Sequence, residues 1–228
     1  MLGDYYIKLL IKMSLVLELS IPEEILTKFR MNVLIEKIKI MNTHIPTHQE
    51  AFELLLKYNR SQSLINHAKS VEAVMRYIAR QKGEDEEKWG IIGMVHDLDY
   101  EQYPEQHCVI TKKILEEAGW NAEYIRAVLA HGWGTCTDVE PITNLEKTLF
   151  AIDELTGLVT ACALVRPSKS VMDMEVKSVK KKWKIAAFAA GANREIIQKG
   201  ADMMGIGIDE LIQWTIDGMK EVTGDIGL

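Results

Sequence analysis

Residues 143–159 read TNLEKTLFAIDELTGLV. Leu145, Leu149, Ile152, Leu155 and Val159 recur at steps of three and four, which puts their side chains on one face of a helix. Thr143 or Asn144 can cap its start, with Glu146 or Lys147 in the first turn, and Pro167 follows its end. One residue on this face is out of character: Asp153 lies four after Leu149 and beside Ile152.

The same periodicity extends in both directions. Val71, Val74, Met75 and Ile78 form one stripe; Ile110, Ile114 and Leu115 form another; Ile125, Val128 and Leu129 form a third. Ala186, Ala187 and Ala190, then Leu211, Ile212 and Ile216, predict helices nearer the C-terminus. Gly83 and Gly119 suit helix ends, Pro104 suits a first turn, and Asn121 suits a cap. No sustained period-two alternation appears. The pattern predicts an all-α fold, a helical bundle over residues 46–228, preceded by an N-terminal extension over residues 1–45.

The chain has 228 residues, 47% hydrophobic and 26% charged, enough for one sizeable core. Lys and Arg number 27 against 33 Asp and Glu, a net charge of −6, which argues against a protein that coats a nucleic acid polymer. Cys108, Cys136 and Cys162 form no CxxC pattern, so no disulfide framework is expected, and a reducing, cytoplasmic setting fits. Residues 5–21, YYIKLLIKMSLVLELSI, are apolar but interrupted by Lys8, Lys12 and Glu18. That is too short and too charged for a membrane span, and no cleavage-site pattern follows. Two readings remain for it: an amphipathic helix docked on the domain, or sequence upstream of a true start at Met31 or Met41.

Asp153 has company. His67 lies four before Val71, His96–Asp97 ends the apolar run Ile91, Ile92, Met94, Val95, His107 lies three before Ile110, and His131 lies three after Val128. Any one buried histidine is ordinary. Burying an ionised carboxylate without a partner, however, costs several kcal/mol, comparable to a domain's net stability. A divalent cation would compensate both aspartates and accept the imidazole lone pairs, and helix bundles build such sites from facing helices.

The order His67, then His96–Asp97, then Asp153 resembles the HD-domain superfamily of metal-dependent phosphohydrolases. IIGMVHDLD looks like that family's apolar helix running into its His-Asp pair, and TNLEKTLFAIDELTGLV like the helix carrying its last Asp. The resemblance covers about residues 60–165. It implies an HD-domain helical bundle in which His67, His96, Asp97 and Asp153 hold one metal. By the same resemblance His107 and His131 hold a second, with Asp97 bridging; the alternative is one ion, with those two histidines contacting substrate or water. The ions would be divalent and their identity stays open among Fe, Mn, Zn, Ni, Co and Mg.

Asp97 is the expected catalytic carboxylate, ligating metal and steering the attacking water. Many members carry a lysine three residues after the Asp; here HDLDY has none. Asp99 either orients a histidine or simply ends a helix. Arg166 and Lys180 are the expected substrate-binding cations, with Arg194 a further weak candidate, although the lysines of 177–184 as a group read better as a solvated face. The implied partner is a small phosphorylated substrate or nucleotide, hydrolysed through metal-activated water. Two other classes compete: a di-iron oxygenase of a small polyol or phosphonate, and a ligand-sensing module with a structural metal.

Overall fold

A computed structural model describes Thr27, Lys28, Met31 and residues 44–228. The chain divides into two units, Met1–Met41 and Asn42–Leu228, and the second carries the architecture below. The readings offered for residues 5–21 lie outside the described residues.

The fold of the second unit is all-α. Among the described residues it has ten α-helices and no strand. They are α1 (His48–Tyr58), α2 (Gln62–Lys82), α3 (Glu86–Met94), α4 (Val109–Glu117), α5 (Ala122–Leu129), α6 (Asn144–Leu164), α7 (Val176–Trp183), α8 (Arg194–Met204), α9 (Ile208–Lys220) and α10 (Thr223–Ile226). Short 3-10 turns at Pro104–Gln106 and Ala130–Gly132 precede α4 and follow α5.

Local chemistry sets the boundaries. Thr143 caps α6 by accepting from the Glu146 backbone N–H, and Glu146 returns a carboxylate to the Thr143 N–H. Glu146 is itself buried and pairs with Arg126 at 2.6 Å, tying the start of α6 to α5. Gly83 ends α2 at φ 67°, a left-handed conformation that costs glycine nothing. Asn121 caps α5.

α6 runs through the centre, with Leu149, Ile152, Leu155 and Val159 fully buried. Helices α2, α8 and α9 pack around it, and α3 lies along α2. Two approaches are close enough to require glycine. A Cβ on Gly200 of α8 would sit 2.4 Å from the Ala151 side chain on α6, and one on Gly218 of α9 would sit 2.7 Å from the Val74 Cα on α2.

One predicted helix is absent. α7 stops at Trp183, and residues 185–192 form turns in which Ala186, Ala187 and Ala190 are exposed. Ala189 adopts φ 45°. The carbonyls of Phe188, Ala189 and Ala192 accept from the Arg194 guanidinium rather than from helical N–H groups, so the alanine-rich run wraps a half-buried cation.

Candidate metal centre

His67 comes from the second turn of α2, and Asp153 from the middle of α6. His96 and Asp97 lie just past the end of α3, in a run of turns. His107 follows the first 3-10 turn, and His131 sits in the second. Five separate stretches therefore deliver six side chains to one place.

Asp97 lies at the middle of the set. Its Oδ2 is 3.3 Å from His96 Nε2 and 3.9 Å from His67 Nε2. Its Oδ1 is 3.4 Å from His107 Nε2 and 3.5 Å from His131 Nε2. Asp153 Oδ1 lies 3.0 Å from His67 Nε2 and 3.2 Å from His96 Nε2. Ligand atoms about 2.1 Å from a common tetrahedral ion stand roughly 3.4 Å from one another, which is the scale of these separations.

The tautomers sharpen the case. His96 Nδ1–H donates to Gly93 O at 2.8 Å, and His131 Nδ1–H donates to Val128 O, because a carbonyl can only accept. His107 Nδ1–H donates to Asp99 Oδ1 at 2.7 Å. In the neutral rings, every Nε2 is then a bare lone pair. His96 Nε2 is fully buried, has no hydrogen-bond partner, and faces the oxygens of two carboxylates. His107 Nε2 and His131 Nε2 face each other at 3.1 Å. Acceptors crowded against acceptors fit a cation between them. The donor set of imidazole nitrogens and carboxylate oxygens suits a divalent first-row metal. In two groupings, {His67, His96, Asp97, Asp153} and {His107, Cys108, His131}, one donor atom per residue lies within 4.8 Å of all the others.

The electrostatics of the metal-free site agree. Burial pushes His96 toward neutrality, but the Asp97 and Asp153 carboxylates outweigh it and hold the ring's pKa well above its ordinary range. Burial likewise opposes ionisation of Asp97 and Asp153, and His96 reverses that, holding both carboxyls well below the usual carboxylate range. In the metal-free site a proton on His96 offsets the charge of the two carboxylates.

A cavity of about 470 Å³ opens over these residues. His67, Asp97, His107, His131 and Asp153 form its floor, while Leu64, Tyr100, Ala189, Ala192 and Ile196 line its sides. No lysine or arginine lines it, which corrects two expectations. Arg166 is held by Asp173 at 2.7 Å and by Ser178 at 3.2 Å, and Lys180 pairs with Asp209 at 2.7 Å on a separate lysine-lined groove. Each cation already has an acidic partner outside the cavity. Arg194 is bound up with backbone carbonyls.

Asp99 takes the orienting role rather than that of a bare helix end: it is fully buried, holds His107, and accepts from the Thr111 N–H at 2.7 Å at the start of α4. Glu154, not singled out in the sequence, lines the cavity beside Asp153. Burial and the Asp153 charge push its carboxyl up, while it accepts from the Asn193 N–H at 3.0 Å. Cys108 and Cys136 also meet, beside Gly132 of the cavity lining, with sulfurs 2.7 Å apart. The signal for that meeting was adjacency, since Cys108 follows His107 and Cys136 lies five after His131.

Residues 64–158 match the HD domain family. A curated relative, Ribonuclease Y from Thermosipho melanesiensis (strain DSM 12029 / CIP 104789 / BI429), is 31% identical over 167 residues, which are 68% of this chain and 30% of the relative. The chain therefore spans less than a third of that protein's length. No solved structure matches.

Proposed function

The chain belongs to the HD-domain superfamily, and from that premise we propose that it is a metal-dependent phosphohydrolase acting on a small phosphate ester or nucleotide. The observation that carries this is the placement of Asp97, with one oxygen toward His67 and His96 and the other toward His107 and His131. A carboxylate so placed could serve two divalent ions, one through each oxygen. One would be held by His67, His96, Asp97 and Asp153, the other by Asp97, His107 and His131. Ions bound there supply Lewis acidity toward a phosphoryl oxygen and water of lowered pKa.

The chain's own groups do the remainder. Asp99 fixes the His107 ring so that its Nε2 points inward. Gly93 O and Val128 O do the same for His96 and His131. The Asp97 carboxylate is the base-side group that orients the attacking water. Leu64, Ala192 and Ile196 give the cavity apolar sides that exclude bulk water, and its volume suits a small molecule. With no lysine or arginine in the lining, compensation of the substrate's negative charge falls to the bound ions.

An RNA phosphodiester is the second reading, favoured by the relative's name. The acidic net charge and the cation-free lining weigh against a long polyanion. The deciding experiment is elemental analysis of the purified chain. A screen with the identified metal restored would then cover phosphomonoesters, nucleotides, a short RNA oligonucleotide and, under oxygen, small polyols. Release of phosphate under anaerobic conditions supports the hydrolase; an oxygen-dependent product overturns it in favour of a di-iron oxygenase. Asp97→Ala should lose metal and activity together, and full metal occupancy in that variant would contradict the bridging role.

A further inference from the structure

Cys108 and Cys136 are 28 residues apart in sequence, yet their sulfurs lie 2.7 Å from each other. That is inside the ordinary contact distance of two unbonded sulfurs, and a short movement from the roughly 2.0 Å of a disulfide. Three features hold them there. Cys108 occupies a left-handed backbone conformation, φ 67°, which costs an L residue about 1 kcal/mol or more and is usually given to glycine. A Cβ on Gly132 would fall 2.2 Å from the Cys136 sulfur and 2.8 Å from that of Cys108, so only glycine leaves room for the pair. The turn after His131 is pinned by bonds from the N–H groups of Thr135, Cys136 and Thr137 to Gly132 O, which brings Cys136 back over the site. The two thiols differ in access: Cys108 is fully buried, whereas Cys136 is partly exposed.

We propose that Cys108 and Cys136 are a redox-active dithiol that closes to a disulfide against Gly132, a residue of the cavity lining. The oxidant is a low-molecular-weight disulfide. Cys136, the accessible thiol, loses its proton and attacks one sulfur of the oxidant, breaking its S–S bond, forming a mixed disulfide and releasing one small thiol. The Cys108 sulfur then displaces the second small thiol from Cys136. Two protein S–H bonds are broken and one S–S bond is formed. Two electrons pass to the oxidant, which leaves as two thiols carrying the two protons.

Closure has a structural consequence. Cys108 adjoins His107, and Gly132, against which both sulfurs pack, adjoins His131. Drawing the sulfurs together therefore shifts the two histidines whose Nε2 atoms stand 3.1 Å apart. This consequence, unlike the disulfide itself, rests on the two-ion reading above.

The test uses the full chain, reduced and chelator-treated, then equilibrated in glutathione buffers of stepped oxidised-to-reduced ratio. Free thiols are alkylated and the disulfides mapped by mass spectrometry. The expected result is a Cys108–Cys136 cross-link with Cys162 still free. Cys108→Ser and Cys136→Ser should each abolish the cross-link, and Cys162→Ser should preserve it. Thiols that all stay free in the most oxidising buffer, or glutathione retained on Cys136 without resolution, would overturn the proposal. Mn(II) binding is then compared between the two redox states. Oxidation should weaken the second Mn(II) about tenfold, a difference absent in Cys136→Ser. Two Mn(II) bound with unchanged affinity would overturn the link to the histidines. A single Mn(II) bound in both states would overturn the two-ion reading and leave the mapped disulfide standing.

Discussion

Asp99 shows how much one residue outside the ligand set can decide. Its carboxylate accepts from His107 on one oxygen and from the Thr111 N–H on the other. Asp99→Asn would keep the shape, lose the charge, and turn one acceptor into a donor facing an N–H. Binding of Mn(II) should weaken by about 10- to 100-fold, as expected when the partner of a ligating imidazole is lost. Calorimetric titration measures this, with the melting temperature as control for folding, and unchanged affinity would deny Asp99 its orienting role.

His107 also sets a pH dependence. Burial pushes its pKa down, but the Asp99 bond and the nearby Cys136 and Asp97 raise it to about 10 in the metal-free chain. Stability from a raised histidine is fully present below its unfolded value near 6.5 and is lost as pH rises through about 10. The melting temperature of chelator-treated protein should therefore fall between pH 7 and pH 10. Mn(II) affinity should move the other way and rise with pH, since the ion replaces the ring protons. A metal-free melting temperature that climbs over that range would contradict the assignment. At this scale the six side chains that meet at the candidate metal centre were legible because charged and imidazole groups break the apolar stripes. Arg166 and Lys180 were not: whether a surface cation faces a cavity or an acidic neighbour depends on Asp173 and Asp209, which the folded chain brings near.

Among the elements, α6 and α8 matter most to the site, because α6 carries Asp153 and α8 carries Ile196 of the cavity side. They touch through Gly200 and Ala151. Gly200→Ala would force the helices apart and cost about 1–3 kcal/mol. Chemical denaturation should show that loss. Michaelis constants should rise, since Ile196 of the cavity side moves with α8. A variant with unaltered stability would mean the approach is looser than 2.4 Å implies. Helix boundaries were mostly readable from caps, as at Thr143, Gly83 and Asn121. The segment after Trp183 was not, because its alanines favour helix in isolation and only the half-buried Arg194 guanidinium diverts their carbonyls.

For the molecule as a whole, metal held at the candidate centre would be linked to folding. Ions that bind the folded chain and not the unfolded one add stability by mass action, about 2.7 kcal/mol per site at a hundredfold excess over Kd. Chelation should lower the melting temperature, and Mn(II) should restore it. A melting temperature indifferent to chelator would show that no ion helps hold the bundle. No described helix is long and apolar enough to cross a membrane.

All six candidate ligands fall between residues 67 and 153, whereas Ala189, Gly191, Ala192 and Ile196, which also line the cavity, come later in the chain. The chain thus divides its labour along its length. Exchanging only residues 189–193, ahead of α8, would put a different roof over the same candidate centre while leaving the packing of α8 and α9 on α6 and α2 intact.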